Sequence, residues 1–118
     1  ISPEGNRPKD LEVGPGSVIY PGVNISYGVR LGKSNFIFFN VMIGHDLHAG
    51  DFVTVLPGVT INGDVTIGEE CLIGSGSTLH PGISIGKNSI VGIGTTLFEG
   101  IGEKKSAMAL PRIMMKDL

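Results

Sequence analysis

The chain is 118 residues long and carries a net charge of −2, with eleven acidic side chains against nine basic ones. That length is one domain's worth, and the charge balance gives no electrostatic case for a nucleic acid or an anionic membrane surface as partner. The single Cys71 excludes an internal disulfide framework, and no apolar run reaches membrane-spanning length, so the expected location is the reducing cytoplasm.

Residues 1–10 show no period and are read as an N-terminal lead-in segment. From there an aliphatic or small residue returns at every sixth position, from Val13 through Ile19, Ile25, Leu31, Ile37, Ile43, Ala49 and Val55 to Leu97, fifteen times without an insertion. Two residues before each stands a small or β-branched residue, such as Val23, Val41, Val65, Ser77 or Thr95, which gives the alternation of a short strand. Three residues after each comes a residue that tolerates positive φ. These are Gly16, Gly22, Gly28, Asn40, Asp46, Gly58, Asp64, Gly76, Gly82, Asn88, Gly94 and Gly100, with Ser34, Phe52 and Glu70 as the costly exceptions. Such corners account for nineteen glycines, well above the usual share of about 7%. A six-residue strand-and-turn unit cannot satisfy its own backbone groups, so successive units must stack as coils. The period predicts an all-β solenoid over residues 11–100, followed by a C-terminal tail over 101–118.

Sorted by column, the outward residues differ between faces. Glu12, Arg30, His48, Thr66 and Ser84 predict a solvated face, followed by an unbroken column of Gly14, Gly32, Gly50, Gly68 and Gly86. Val18, Tyr20, Phe36, Phe38, Leu56 and Leu72 share another face, an apolar patch that predicts a subunit interface.

The reactive inventory is His45, His48 and His80, with Asp46 beside the first. A zinc site of the kind found in γ-class carbonic anhydrases, which this pattern resembles, needs histidines at coil multiples. The spacings of 35 residues from His45 and 32 from His48 to His80 fit no multiple of 18, so no metal is expected. His45 falls on a corner, in the column Tyr27, His45, Gly63, Pro81, Glu99, and the glycine one coil on is expected to leave room for a substrate beside the ring. An adjacent carboxylate can fix the tautomer of an imidazole and suit it to general-base work, although a surface histidine in a turn gives the same pattern.

The stretch Val41-Met42-Ile43-Gly44-His45-Asp46-Leu47-His48-Ala49-Gly50-Asp51-Phe52, with the in-phase repeats that follow it, resembles the bacterial sialic-acid O-acetyltransferase and amino-sugar N-acetyltransferase family. The resemblance covers residues 11–100. It implies a single-stranded left-handed parallel β-helix of about five triangular coils, three strands to each eighteen-residue turn. It also implies transfer of an acetyl group from acetyl-CoA to an amino or hydroxyl group of a sugar or nucleotide-sugar. His45 would be the general base, Asp46 its orienting acid, and the Gly63 amide the oxyanion donor. Coenzyme A would lie between subunits of a homotrimer, against main-chain groups at Ser75 and Ile93. Many relatives carry a second histidine where this chain has Thr54, so Thr54 would face the acyl group. The ending Ala109-Leu110-Pro111-Arg112 echoes the family only faintly, and Arg112, with Lys104 and Lys105, is the candidate partner of the coenzyme phosphates. Relatives also carry an amino-terminal nucleotide-binding domain, and Ile1-Ser2-Pro3 resembles the segment that follows it. The rival reading is a non-catalytic trimerisation or binding scaffold. Ice binding is a weaker third, because the Thr60, Thr78, Thr96 column is short.

Overall fold

The computed structural model describes residues 7–109 and 115–117. Among them the chain is all-β, with sixteen two-residue strands and no helix, wound as a left-handed parallel β-helix of about five turns. The first sheet stacks Glu12–Val13, Arg30–Leu31, His48–Ala49, Thr66–Ile67 and Ser84–Ile85. The second stacks Val18–Ile19, Phe36–Ile37, Thr54–Val55, Leu72–Ile73, Ile90–Val91 and Ser106–Ala107. The third stacks Asn24–Ile25, Met42–Ile43, Thr60–Ile61, Thr78–Leu79 and Thr96–Leu97. Partners along a sheet are eighteen residues apart, as in Met42 against Thr60 and Ile43 against Ile61.

The sixth-position aliphatics fill the bore together with the β-branched residues two places before them. Ile19, Ile25, Ile37, Ile61, Ile67 and Ile73 are all at most 2% exposed, as are Val23, Val41 and Val65. Each such burial contributes on the order of 1.5–3 kcal/mol, which sustains a core only one side chain wide. Where the inward slot is polar, the side chain completes the backbone pairing. Ser77 Oγ donates to Gly92 O at 2.8 Å and accepts from Thr95 N at 3.3 Å, and Ser89 Oγ does the same between Gly102 O and Lys105 N. Cys71 occupies an equivalent slot, donating to Gly86 O at 3.1 Å, and burial pushes its thiol up from the ordinary value.

The corners take the positive φ that the pattern requires, including the three costly ones: Ser34 at 54°, Phe52 at 58° and Glu70 at 58°. Phe52 is half exposed, with Lys33 Nζ 5.7 Å from its ring centre. Gly100 departs from expectation. It does not have positive φ, because the last coil is two residues short: Ile101 bridges Ile85, and Ser106–Ala107 pairs with Ile90–Val91, both at an offset of sixteen. Gly100 is required there by close approach, since a Cβ would stand 2.5 Å from Ser84 O. Strand pairing therefore runs past residue 100, where the six-residue period lapses at Glu103 because Ile101 reaches the wall two places early. The glycine column after the first sheet has a similar steric origin, a Cβ on Gly14 falling 2.6 Å from Gly32 C.

One backbone regularity matters for the site. From Ser34 to Gly94 the third residue of each corner donates its amide to a carbonyl of the coil before, as Asp46 N does to Tyr27 O and Asp64 N to His45 O, both at 2.9 Å. The middle residue has no such place in the pattern, which is why Pro15, Pro21, Pro57 and Pro81 fit that position at no loss. Where the middle residue is not proline, its amide has no backbone partner in this pattern, although that of Lys33 donates to Asp51 Oδ1 at 2.9 Å. Gly63, Ser75 and Ile93 all occupy this position, and among the described residues none of their amides has a hydrogen-bond partner.

Candidate active site

His45 is the middle residue of the corner joining the third sheet to the first, between strands Met42–Ile43 and His48–Ala49. Asp46 follows at the left-handed position, φ 56°, which turns its carboxylate back toward the imidazole. His45 Nδ1 and Asp46 Oδ2 are 2.9 Å apart. An ionised carboxylate only accepts, so Nδ1 carries the proton and Nε2 presents its lone pair. One coil before, the Tyr27 ring stacks on the imidazole at 5.2 Å between centres and 10° between planes. One coil on, a Cβ at Gly63 would collide with Nε2, Cε1 and Cδ2 of His45. The slot over Gly63, expected to admit a substrate, is thus filled by the imidazole itself. The glycine lets the ring lie flat between Tyr27 and the next coil.

The open volume lies beside the ring instead, over the third sheet. It is a cavity of about 440 Å³ whose lining includes the corner residues His45, Gly63 and Asp64 together with Ser26, Met42, Thr60 and Asn62. Asn62 is held by its Nδ2, which donates to Leu79 O at 2.9 Å. Asp64 was not singled out in the sequence. Its carboxylate, that of Asp46 and a ring nitrogen of His45 lie within 4.8 Å of one another, a donor set that a divalent cation could use. The eighteen-residue step from Asp46 was the available signal, but Asp64 reads first as a corner residue tolerant of positive φ, which it also is at 59°.

The structure brings His45, Asp46 and Gly63 together and leaves the remaining candidates apart from them. Thr54 is half-buried on the second sheet. Ser75 and Ile93 lie on the corner joining the second sheet to the third, the opposite edge of the third sheet from His45. Ile93 is 78% exposed and helps to line a second, apolar cavity of about 350 Å³ with Leu56, Leu72, Ile90 and Met108. Arg112 falls outside the described residues, and Lys104 and Lys105 are exposed in the last coil. His48 is exposed on the first sheet, and His80, which follows the third-sheet strand Thr78–Leu79, packs against Phe98 with ring centres 4.2 Å apart. The apolar columns of the second sheet are as expected, with Tyr20 and Phe38 stacked at 4.6 Å and Val18, Phe36 and Ile90 each more than a third exposed. No helix among the described residues is long and apolar enough to cross a membrane.

Comparison with known proteins agrees with this architecture. Residues 64–99 match the family model described as the hexapeptide repeat of succinyl-transferase. No curated protein sequence matches the chain. Among solved structures, the acetyltransferase domain of PglB from Neisseria gonorrhoeae, in complex with acetyl coenzyme A, superposes with a TM-score of 0.88 at 23% identity, over 91% of this chain and 52% of that one. A mutant perosamine N-acetyltransferase from Caulobacter crescentus, in complex with CoA and GDP-perosamine, gives a TM-score of 0.90 at 25% identity, over 99% and 56%. WeeI from Acinetobacter baumannii gives 0.79 at 28% identity, over 81% and 48%. The chain spans about half the length of these structures. The class they and the coil geometry define is the hexapeptide-repeat left-handed β-helix.

Proposed function

We propose that this chain transfers an acetyl group from acetyl-CoA to an amino or hydroxyl group of a sugar, by direct attack with His45 as general base. The carrying observation is the His45–Asp46 pair at 2.9 Å, with no hydrogen bond at the opposite ring nitrogen among the described residues and with His45 lining a cavity. Structures of the same fold bound to acetyl coenzyme A, or to CoA with GDP-perosamine, support the donor and suggest a nucleotide-linked acceptor.

The chemistry follows from the geometry. Asp46 accepts from Nδ1–H and holds the tautomer in which Nε2 is the base. The acceptor's N–H or O–H gives its proton to Nε2 as its heteroatom attacks the thioester carbonyl. Negative charge then develops on the carbonyl oxygen, and the Gly63 amide, which has no partner within the described residues, is the donor that meets it. As the tetrahedral adduct collapses, the C–S bond breaks and the imidazolium returns the proton to the departing thiolate. No covalent bond to the protein forms. We further propose that the second sheet, through Val18, Tyr20, Phe36, Phe38, Leu56 and Leu72, packs a homotrimer. The Ser75 and Ile93 amides of one copy would then face the His45 corner of the next, with Thr54 near the acyl group.

The test replaces His45 with Asn. Acetyl-CoA-dependent transfer should fall by about 10² or more with melting temperature and assembly unchanged; undiminished transfer removes His45 from the mechanism. Millimolar acetyl-CoA should also raise the melting temperature of the wild-type protein by mass action. If it does not, the apolar second sheet favours the scaffold reading.

A further inference from the structure

We propose that Tyr27 is a positioning residue for the reaction at His45: its ring fixes the plane of the imidazole and does not itself touch the substrate. The inference rests on the acyl-transfer reading and adds to it a residue to which that reading gives no task.

The torsion that turns a histidine ring about the bond carrying it is broad and roughly two-fold, so the ring's plane is settled by its surroundings. The contact between Nδ1 and Asp46 Oδ2 at 2.9 Å engages one edge of the imidazole and fixes which nitrogen keeps its lone pair. A single edge contact is a hinge, because the ring can tilt about it while the hydrogen bond bends. The plane is set by what lies against the two faces. Against one face is the backbone of Gly63, where a Cβ would meet Nε2, Cε1 and Cδ2. Against the other is Tyr27, its ring 10° from parallel and the two centres 5.2 Å apart, the geometry of a stacked pair.

The backbone holds the two rings in register. Asp46 N donates to Tyr27 O at 2.9 Å, which ties the His45 corner to the Tyr27 corner. That bond is between main-chain groups, so it survives a change of the Tyr27 side chain. Tyr27 is 60% exposed and does not line the cavity beside His45. Neither burial in the bore nor contact with a ligand in that cavity therefore accounts for an aromatic ring at this place. Nor does the coil demand one, since Gly63 and Pro81 occupy the same column. What the ring does is cover the base. During transfer Nε2 must meet the acceptor's N–H or O–H, and a ring free to tilt meets it for only part of the time. Stacking of this kind shifts such a balance about three- to tenfold. The loss falls on the chemical step, because Tyr27 holds neither substrate.

The experiment follows CoA release from acetyl-CoA, with glucosamine and with GDP-perosamine as acceptors, in wild type, Tyr27→Phe and Tyr27→Leu. Leucine fills much of the space without offering a flat face. Tyr27→Leu should lower kcat about fivefold, with KM for both substrates within about twofold and the melting temperature unchanged. Tyr27→Phe should keep kcat within about twofold. In a His45→Asn background Tyr27→Leu should make no further difference, since its effect passes through the imidazole. NMR spectra give a second readout: the His45 Cε1–H and Cδ2–H signals, assigned by their loss in His45→Asn, should carry a ring-current shift in wild type and Tyr27→Phe that disappears in Tyr27→Leu. Full kcat in Tyr27→Leu overturns the proposal, as does a rise in KM without a fall in kcat, which would make Tyr27 a substrate contact. An equal fall in Tyr27→Phe overturns it too, because the hydroxyl and not the ring plane would then matter. If acetyl-CoA does not bind to wild type, the acyl-transfer reading fails on its own. Where wild type acetylates neither acceptor, the spectra decide alone whether Tyr27 holds the ring: His45 signals alike in wild type and Tyr27→Leu overturn it.

Discussion

Two corners of the same β-helix follow one backbone rule and serve different ends. At the corner between the third and first sheets the middle position holds Tyr27, His45 and Gly63; at the corner between the second and third it holds Phe39, Ser75 and Ile93. Both leave spare amides, because the coil pattern assigns no partner to the middle residue. Only the first pairs such an amide with a titratable ring oriented by a neighbour. The scaffold thus leaves amides without backbone partners at middle positions that lack proline, and the proposed chemistry sits where one middle residue is an imidazole followed by a carboxylate. The two corners border opposite edges of the third sheet, so one chain does not bring them together; in the proposed trimer a second copy does so.

The comparison is broken most severely by removing the assembly. Leu72→Arg places a charge on the outward face of the second sheet without touching the bore. It should convert the proposed trimer to monomer in sedimentation velocity and reduce transfer by more than about 10², the loss expected when reacting groups are no longer held together; an unchanged sedimentation coefficient counts against that face as an interface. Gly63→Ala comes next. The new methyl meets the imidazole, and displacement of the base by even 1 Å should lower kcat by about 10² while the melting temperature changes little. A variant retaining full kcat would show that the ring does not need its present position.

Ser75→Pro is the finer instrument, because the fold already accepts proline at this place in four corners. It removes the amide donor together with the side-chain hydroxyl, so acetyl-CoA affinity by calorimetry should weaken about fivefold, one hydrogen bond's worth of about 1 kcal/mol, where Ser75→Ala, which keeps the amide, does not, while Lys87→Pro at the remaining corner should leave affinity unaltered. Smallest in functional terms is Ser77→Ala. It leaves Gly92 O and Thr95 N without their buried partner and should cost about 1–3 kcal/mol of stability in denaturant unfolding, with kcat retained.

Much of this was legible before any coordinates, and the exceptions are instructive. Ser34, Phe52 and Glu70 turn through positive φ although their side chains oppose it, because pairing with the coils above and below overrides a local cost of a few kcal/mol at most. Gly100 fails in the opposite sense. Its residue type suits a corner, but Ile101 is drawn two places early onto Ile85, and the corner disappears. The His45–Asp46 pair was visible as adjacent letters. That the imidazole would lie over Gly63 was not, because the direction of a side chain across coils depends on the stacked Tyr27 ring before it and the missing side chain after it.

By itself the sequence determined the period, and with it the strands, the bore and the faces, since a six-residue unit can satisfy its backbone only by stacking on its neighbours. Only the tertiary structure decided what stands beside what around the coil: which residues meet His45, that Asp64 joins them, and that Ser75 and Ile93 do not. Those relations depend on side-chain direction and on the offset between coils. A repeating pattern of residue types constrains both only loosely, because many rotamers and several closures share the same hydrophobic core.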